Sequence, residues 1–303
     1  MHPALKRIPN SRSWARYAIY ADHSIIVLNK PPGLICQGLK SQGEVSPSRD
    51  VDKFNDLLRD LKDRFHMSNL PYAAHRLDKS TTGALVLAKN LVTARQLAQQ
   101  FQTRTVSKTY LALVRGGAKS FPSKYGEIRK ALEINEEGRV SIGAACDAKF
   151  AATDWELIGS STKVPLSLLR LTLHTGLKHQ LRVHLAHSLH TPILGDTLYS
   201  RKPLSEKITN LIHIPQNRLF LHSSRLTLSR YKKTGTKRHF RLGITAALPG
   251  DFVSMCNDLG IQLDPMDISG GLCVDDVPVG GNSTIENLQG KWLRPWRHLP
   301  TEL

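Results

Sequence analysis

Residues 75–88 read His75-Arg76-Leu77-Asp78-Lys79-Ser80-Thr81-Thr82-Gly83-Ala84-Leu85-Val86-Leu87-Ala88. A polar loop with one carboxylate runs directly into an unbroken apolar stretch. The apolar run predicts a buried strand at Ala84–Ala88, and Ser80–Gly83 predict a tight turn ahead of it. A lone Asp before Ser/Thr-rich sequence is most often a turn or cap residue. A strand–loop junction is also a place where a carboxylate stands ready as a nucleophile, here with Arg76 two positions before it. These residues alone leave both open.

Moving outward, Asn90 is placed to cap a helix whose apolar stripe is Ala94, Leu97, Ala98 and Phe101. Thr105–Val114 alternates as a strand does and ends at Arg115-Gly116-Gly117. Lys108 and Tyr110 are two positions apart, so they share one face of it. They form either a sheet-edge pair with the Lys stem laid along the surface, or a phenol set to stack on a base or exchange a proton. On the other side, residues 24–28 predict a strand stopped by Asn29-Lys30-Pro31-Pro32-Gly33, and Phe54, Leu57, Leu58, Leu61 and Phe65 give a helical stripe over 52–65. Short strands and turns are expected in 118–150, and a strand at 168–173. Thr175-Gly176 then leads into a helix carrying Leu181, Leu185 and Leu189, ended by Pro192 and Gly195-Asp196. Residues 200–217 read as a loop or insert. Strands at 219–228 and 238–246 flank the basic turn 230–237, a short helix covers 252–260, and 265–290, with two Gly-Gly pairs, reads as poorly ordered. Strands and helices interleave without regular βαβ alternation. The expectation is an α+β fold on a mixed, mainly antiparallel sheet.

The helix after Gly176 carries a second set of candidates. Arg182 lies among buried leucines, where it either pairs with a buried carboxylate and keeps it ionised or makes an ordinary surface ion pair. His174, His179, His184, His187 and His190 fall close together, the last three at helix-neighbour spacing. No carboxylate completes a ligand pattern, and the expectation is no metal. Phosphate-binding loops, dinucleotide fingerprints, the G-x-S-x-G elbow and H-E-x-x-H are all missing, which weakens NTPase, dinucleotide, α/β-hydrolase and zincin chemistry. Cys36, Cys146, Cys256 and Cys273 show no C-x-x-C pair and fit a reducing compartment.

The net charge is +17. An excess of this size favours a polyanionic partner, because neutralising phosphates releases counterions. More than half of it falls in residues 201–240, which hold ten basic residues and one acid, whereas 261–303 hold three basic and six acidic residues. The first acid is Asp22, after Lys6, Arg7, Arg12 and Arg16. That composition suits either a mitochondrial transit segment or a basic arm on RNA. No apolar run is long enough for a transmembrane helix.

In order along the chain, these motifs resemble those of the RluA-type RNA pseudouridine synthases. The family's H-R-L-D-x-x-T-S-G stands as His75 to Gly83, with Thr82 in place of Ser. Its K-x-Y strand stands as Lys108-Thr109-Tyr110, and its G-R-x-H-Q-I-R-x-H as Gly176 to His184. Asp22 with Asn29-Lys30-Pro31-Pro32-Gly33, and Leu221-His222-Ser223, match as well. The resemblance covers residues 17–260. The departure is Leu177, where the family usually has Arg, and Lys178 beside it is placed to compensate.

The resemblance implies a pseudouridine synthase fold and isomerisation of uridine to pseudouridine in RNA, without cofactor or metal. Asp78 would be the nucleophile, Arg182 would keep it ionised, Tyr110 would stack on the uracil and assist proton removal, and Leu181 would pack on the other face of the base. Arg76 would fill the gap left by a flipped base. Lys108, Lys178, His179, Lys232, Lys233, Lys237 and Arg238 would contact RNA. The expected organisation is a basic arm or transit segment (1–16) too short for an S4 RNA-binding domain, a catalytic domain (17–260), and an acidic, partly disordered tail (261–303). A monomer is expected. The favoured substrate is mitochondrial large-subunit rRNA, as for the small fungal mitochondrial synthases. The alternatives are a tRNA enzyme of cytosol or nucleus, or a non-catalytic RNA-binding or ribosome-assembly protein on the same fold.

Overall fold

The apolar run Ala84–Ala88 lies at the centre of a sheet whose alternating faces build separate cores. The computed structural model describes residues 13–36, 49–200, 202–232, 238–279, 285 and 289–293. The chain opens with strands β1 (Ala18–Ala21) and β2 (Ile25–Lys30), then helix α1 (Arg49–Arg64). Next come β3 (Tyr72–Ala73), β4 (Thr82–Ala88), α2 (Leu91–Gln102) and β5 (Ser107–Arg115). A long antiparallel excursion follows: β6 (Tyr125–Ile134), β7 (Val140–Ile142), β8 (Lys149–Ser160) and β9 (Leu166–Leu173). Then come the short helices α3 (Gln180–Val183) and α4 (Glu206–Thr209), the hairpin β10 (Leu221–Tyr231) and β11 (His239–Thr245), and helices α5 (Gly250–Asp258) and α6 (Pro265–Ser269). Strands β12 (Gly271–Val274), β13 (Val277–Val279) and β14 (Lys291–Trp292) complete the order.

The main path of the sheet is β14-β1-β2-β4-β10-β5-β9-β8-β6-β7, with β11, β12 and β13 added in turn beside β10. Only β4 and β10 pair in parallel, at His222 with Thr82 and Ser223 with Gly83; the other described pairs are antiparallel. This is the mixed, mainly antiparallel α+β sheet the sequence predicts. Every residue of β4 is buried. Leu85 and Leu87 pack with Phe54, Leu57 and Leu61 of α1, while Ala84, Val86 and Ala88 pack with Leu97 of α2 and with Leu226, Leu228 and Phe240. Period-2 alternation therefore sends β4 into two cores at once. On β5, Tyr110, Ala112 and Val114 join the α1 side, whereas Leu111 and Leu113 meet Phe252, Met255 and Cys256 of α5. Each fully buried Leu or Val among them contributes about 1.5–3 kcal/mol. Asn90 caps α2 as predicted, its side chain accepting from Thr93 N at 2.9 Å.

Three expectations are corrected. The segment after Gly176 is helical for one turn only; at His184–Ser188 it widens into a π-turn, with Leu189 N–H reaching back to His184 O at 3.3 Å. Residues 118–150 are not merely short pieces, because β6 and β8 pair over eight residue pairs from Tyr125–Glu156 to Leu132–Lys149. Much of 265–290 is ordered: β12 adds to β11 with Leu272 and Cys273 buried. Gly270 has φ +68°, and a Cβ there would lie 2.9 Å from Thr245 O, so this glycine serves close backbone approach rather than looseness.

Candidate active site

Asp78 sits on the loop between β3 and β4, partly buried, beside Leu77, which anchors the loop in the core. A turn bond from Thr81 N–H to Asp78 O at 3.1 Å closes it. The segment after β2 clamps it from outside: Gly33 N–H donates to Lys79 O at 2.9 Å, and Lys30 Nζ donates to Lys79 O at 3.0 Å and Pro31 O at 2.9 Å. Lys30 is fully buried, and desolvation lowers its pKa to about 8, opposed by Cys36 and Asp78. The polar end of β2 thus holds the carboxylate loop in place and adds a nearby positive charge.

The strand behind the loop is held equally firmly. Gly83 has φ +109°, and a Cβ there would lie 2.2 Å from Ser223 O, so β4 and β10 touch backbone to backbone at this point. His222 is completely buried, and desolvation lowers its pKa to about 4. It is therefore neutral: Nε2–H donates to Ala246 O at 3.1 Å, leaving Nδ1 to accept from the Thr82 hydroxyl at 2.9 Å. The sequence motifs around Thr82 and His222 meet across this bond. His75 is likewise neutral, its Nε2 accepting from Val86 N–H at 2.9 Å, its ring stacked on Phe101, and its pKa lowered to about 3 by desolvation and then by Lys108.

Asp78, Tyr110, Leu181 and Arg182 line one cleft of about 680 Å³, together with Arg76, Lys108, Lys178 and His179. Tyr110 is almost wholly buried, and desolvation raises its pKa, with Asp78 adding to the rise and the Ser223 hydroxyl opposing it. The phenol is held neutral, which suits a stacking surface or hydrogen-bond donor rather than a base. Lys108 Nζ donates to Thr175 O at 3.3 Å, and burial followed by Arg104 lowers its pKa to about 8.

The Gly176–Arg182 segment is shaped by Gln180. Its Oε1 accepts from Thr175 Oγ1 at 2.7 Å and Leu177 N at 3.1 Å, and its Nε2 donates to Ala152 O and Thr153 Oγ1, both at 3.0 Å. His179, at φ +52°, starts the helix and lies 3.0 Å from the Tyr199 hydroxyl. Leu181 is turned into the cleft floor. The carboxylate that Arg182 grips is Asp196: Nε and Nη2 fork onto it at 2.7 and 2.8 Å. Asp196 has no exposed side-chain surface, and its loop N–H groups at Leu198 and Tyr199 add bonds of 2.9 and 3.0 Å. Desolvation opposes both charges, yet the fork prevails, raising the pKa of Arg182 and lowering that of Asp196; Asp78 contributes to the Arg182 shift through its charge across the cleft. Asp196, which the sequence suggests only as a helix stop, was the missing partner. Its one sequence signal is a carboxylate soon after an Arg-bearing helix.

Other expectations fare differently. Leu177 packs on the small cluster of Leu132, Val140, Val183 and Tyr199. Lys178 donates from Nζ to Gly138 O at 2.7 Å, so its ammonium is drawn toward the β6–β7 turn. The histidines take separate polar partners, His174 at Asp154 ahead of the helix and His184 at Thr153, while His179 and His187 both lie edge-on to the Tyr199 ring. Among the described residues no three metal-type side chains come together. Lys232 and Arg238 stand at the far end of the β10–β11 hairpin, Lys232 over the Phe240 ring at 5.5 Å. Lys233 and Lys237 lie outside the described residues. Two cations of the same basic segment are structural: Arg218 forks onto Asp251, and Arg230 donates to Asp22 and Ser24 at 2.7 Å each.

Residues 24–187, more than half of the chain, match the family model described as RNA pseudouridylate synthase. The chain is 39% identical over 201 residues to the ribosomal large subunit pseudouridine synthase D of Borreliella burgdorferi, a match covering 64% of this chain and 58% of that relative. The chain thus spans less than two thirds of that relative's length. It is 29% identical over 300 residues to the mitochondrial pseudouridylate synthase RPUSD4 of Mus musculus, covering 88% of this chain and 76% of the relative. Among solved structures, human RNA pseudouridylate synthase domain containing 4 superposes with a TM-score of 0.65 at 26% identity, covering 83% of this chain and 96% of that one.

Proposed function

Because this chain belongs to the RNA pseudouridylate synthase family, we propose that it converts uridine to pseudouridine within RNA. The observation that carries this is the convergence of Asp78, Tyr110, Leu181 and Arg182 on one cleft. The Asp78 carboxylate bonds to the ribose C1′ as the N1–C1′ bond breaks, its electron pair leaving with the uracil. The base turns between Tyr110 and Leu181. C5 then bonds to C1′ and releases the carboxylate, C5 loses its proton, and N1 gains one. Substrate and product are isomers, so no co-reactant is consumed. Arg182 and Lys30 supply positive charge near the carboxylate. Arg76, exposed at the cleft wall, is placed to enter the gap left by the flipped uridine.

The favoured RNA is mitochondrial large-subunit rRNA. Its support is the basic sequence preceding Asp22, with the designations of the Borreliella and mouse relatives. One experiment addresses reaction and substrate together. A strain carrying Asp78→Asn should lose one or more pseudouridines from mitochondrial large-subunit rRNA, while the purified variant still binds that RNA. Loss from tRNA instead would reassign the substrate. An unchanged pseudouridine map would reject the activity and favour a binding role.

A further inference from the structure

The cleft is wider in chemistry than one flipped uridine needs. Besides Arg182, which is paired with Asp196, the cations Arg76, Arg104, Lys108, Lys149 and Lys178 line it, against one carboxylate, Asp78, among the described lining residues. Tyr110 and Leu181 form its deep, nearly buried pair, at 7% and 5% exposure. Phe150 lines the same cleft but is 56% exposed, and so stands outside that pair, toward the mouth. It is in register with Ala131 on β6 and two positions from Ala152, whose carbonyl accepts from Gln180. Ala151 and Thr153, at the alternate positions, face the Gly176–Arg182 side, Thr153 Oγ1 accepting from Gln180 Nε2 at 3.0 Å, so Lys149 shares that face and Phe150 lines the cleft from the first residues of β8, which β9 does not pair. Lys149 precedes it on β8 and is exposed too.

Resting on the reading of this cleft as an RNA site, we propose that Phe150 is a stacking platform for a base adjacent to the target uridine, with Lys149 on that nucleotide's phosphate. A flipped uridine leaves its neighbours partly unstacked, and an aromatic face replaces the lost stacking whatever the base. The excess of cations over acids in the cleft matches a phosphate backbone and not an acid-poor or apolar partner. The platform sets which nucleotides flank the target without requiring hydrogen bonds to their edges.

The test uses full-length Asp78→Asn protein, so that binding is read without turnover, and a fluorescein-labelled uridine decamer followed by anisotropy at several salt concentrations. Phe150→Ala should weaken binding about 5- to 50-fold, with Phe150→Trp close to the parent. The slope of log K against log salt should stay unchanged for Phe150→Ala and become shallower by about one for Lys149→Ala. Melting temperatures should not move, since both side chains are exposed. Parent-like binding by Phe150→Ala, equal binding by Phe150→Leu and Phe150→Trp, or no binding of the decamer by the parent would each overturn the proposal. Stacking behaviour in a chain that makes no pseudouridine in any RNA would uphold the platform and reject the activity. A platform-indifferent chain that still makes pseudouridine would do the reverse.

Discussion

The two ends of strand β10 behave as if they belonged to different proteins. At its start, His222 and Ser223 are fully buried, each polar atom tied to β4 or to Ala246, and the Asp78 loop hangs from this seam. At its finish, Tyr231 is 66% exposed, and Lys232 and Arg238 meet across the hairpin through a backbone hydrogen bond. Eight residues separate Ser223 from Tyr231, roughly 26 Å at ~3.3 Å per residue. Charge and polarity are costly at the first end and are therefore paired and fixed. At the second they are hydrated and cheap, and act through long-range attraction. One strand thus couples the tightly paired seam behind the Asp78 loop to an exposed, basic hairpin end well away from it.

The sharpest way to break the buried end is Gly83→Ala. The added Cβ meets the Ser223 backbone, and the positive φ disfavours any side chain, so a loss of about 2–4 kcal/mol is expected. Urea unfolding would report it, and an unchanged midpoint would refute the backbone contact.

A smaller effect should come from pH. Burial keeps His222 and His184 neutral with pKa values lowered to about 4, and His75 to about 3, against 6.5 in an unfolded chain. Below pH 6.5 the unfolded chain therefore takes up protons that the fold refuses. Stability should be at its full value above pH 6.5 and fall steadily toward pH 4. A urea midpoint that stays level across that window would contradict the neutral seam.

The least effect on stability belongs to the exposed end. Lys232→Glu with Arg238→Glu should leave the melting temperature within about 1 °C, because surface charges contribute little to folding. The same pair should weaken RNA binding and flatten its dependence on salt. Unchanged binding would reduce this turn to solvated surface.

Much of this was legible from the sequence because it was local. The Asn90 cap, the α1 stripe and the shared face of Lys108 and Tyr110 each depend on residues a few positions apart. The motifs also placed Asp78, Tyr110, Leu181 and Arg182 in one site, as the cleft does. What escaped was pairing at a distance. Arg230 counts as surface charge in the sequence, yet its partner Asp22 lies 208 positions away. Arg182 needed Asp196, across the π-turn and the Pro192 bend. Lys30 reads as part of a Pro-Gly turn, and only the fold shows it gripping the Asp78 loop. A buried ion finds its partner through topology, and hydrophobic periodicity carries no record of that.

Strand β12 covers the outer edge of β11, and β13 in turn covers β12. In β13 the residue opposite Cys273 is Pro278, which has no N–H to offer. Among the described residues the sheet therefore grows by two strands beyond the β10–β11 hairpin, and its outer strand carries a residue that discourages further pairing. Cutting the chain after α5 would uncover β11 as a raw edge of alternating Phe240, Leu242 and Ile244, ready to zip onto another copy. The β12–β13 pair thus gives the β11 edge a backbone partner and sets a proline in the strand beyond it.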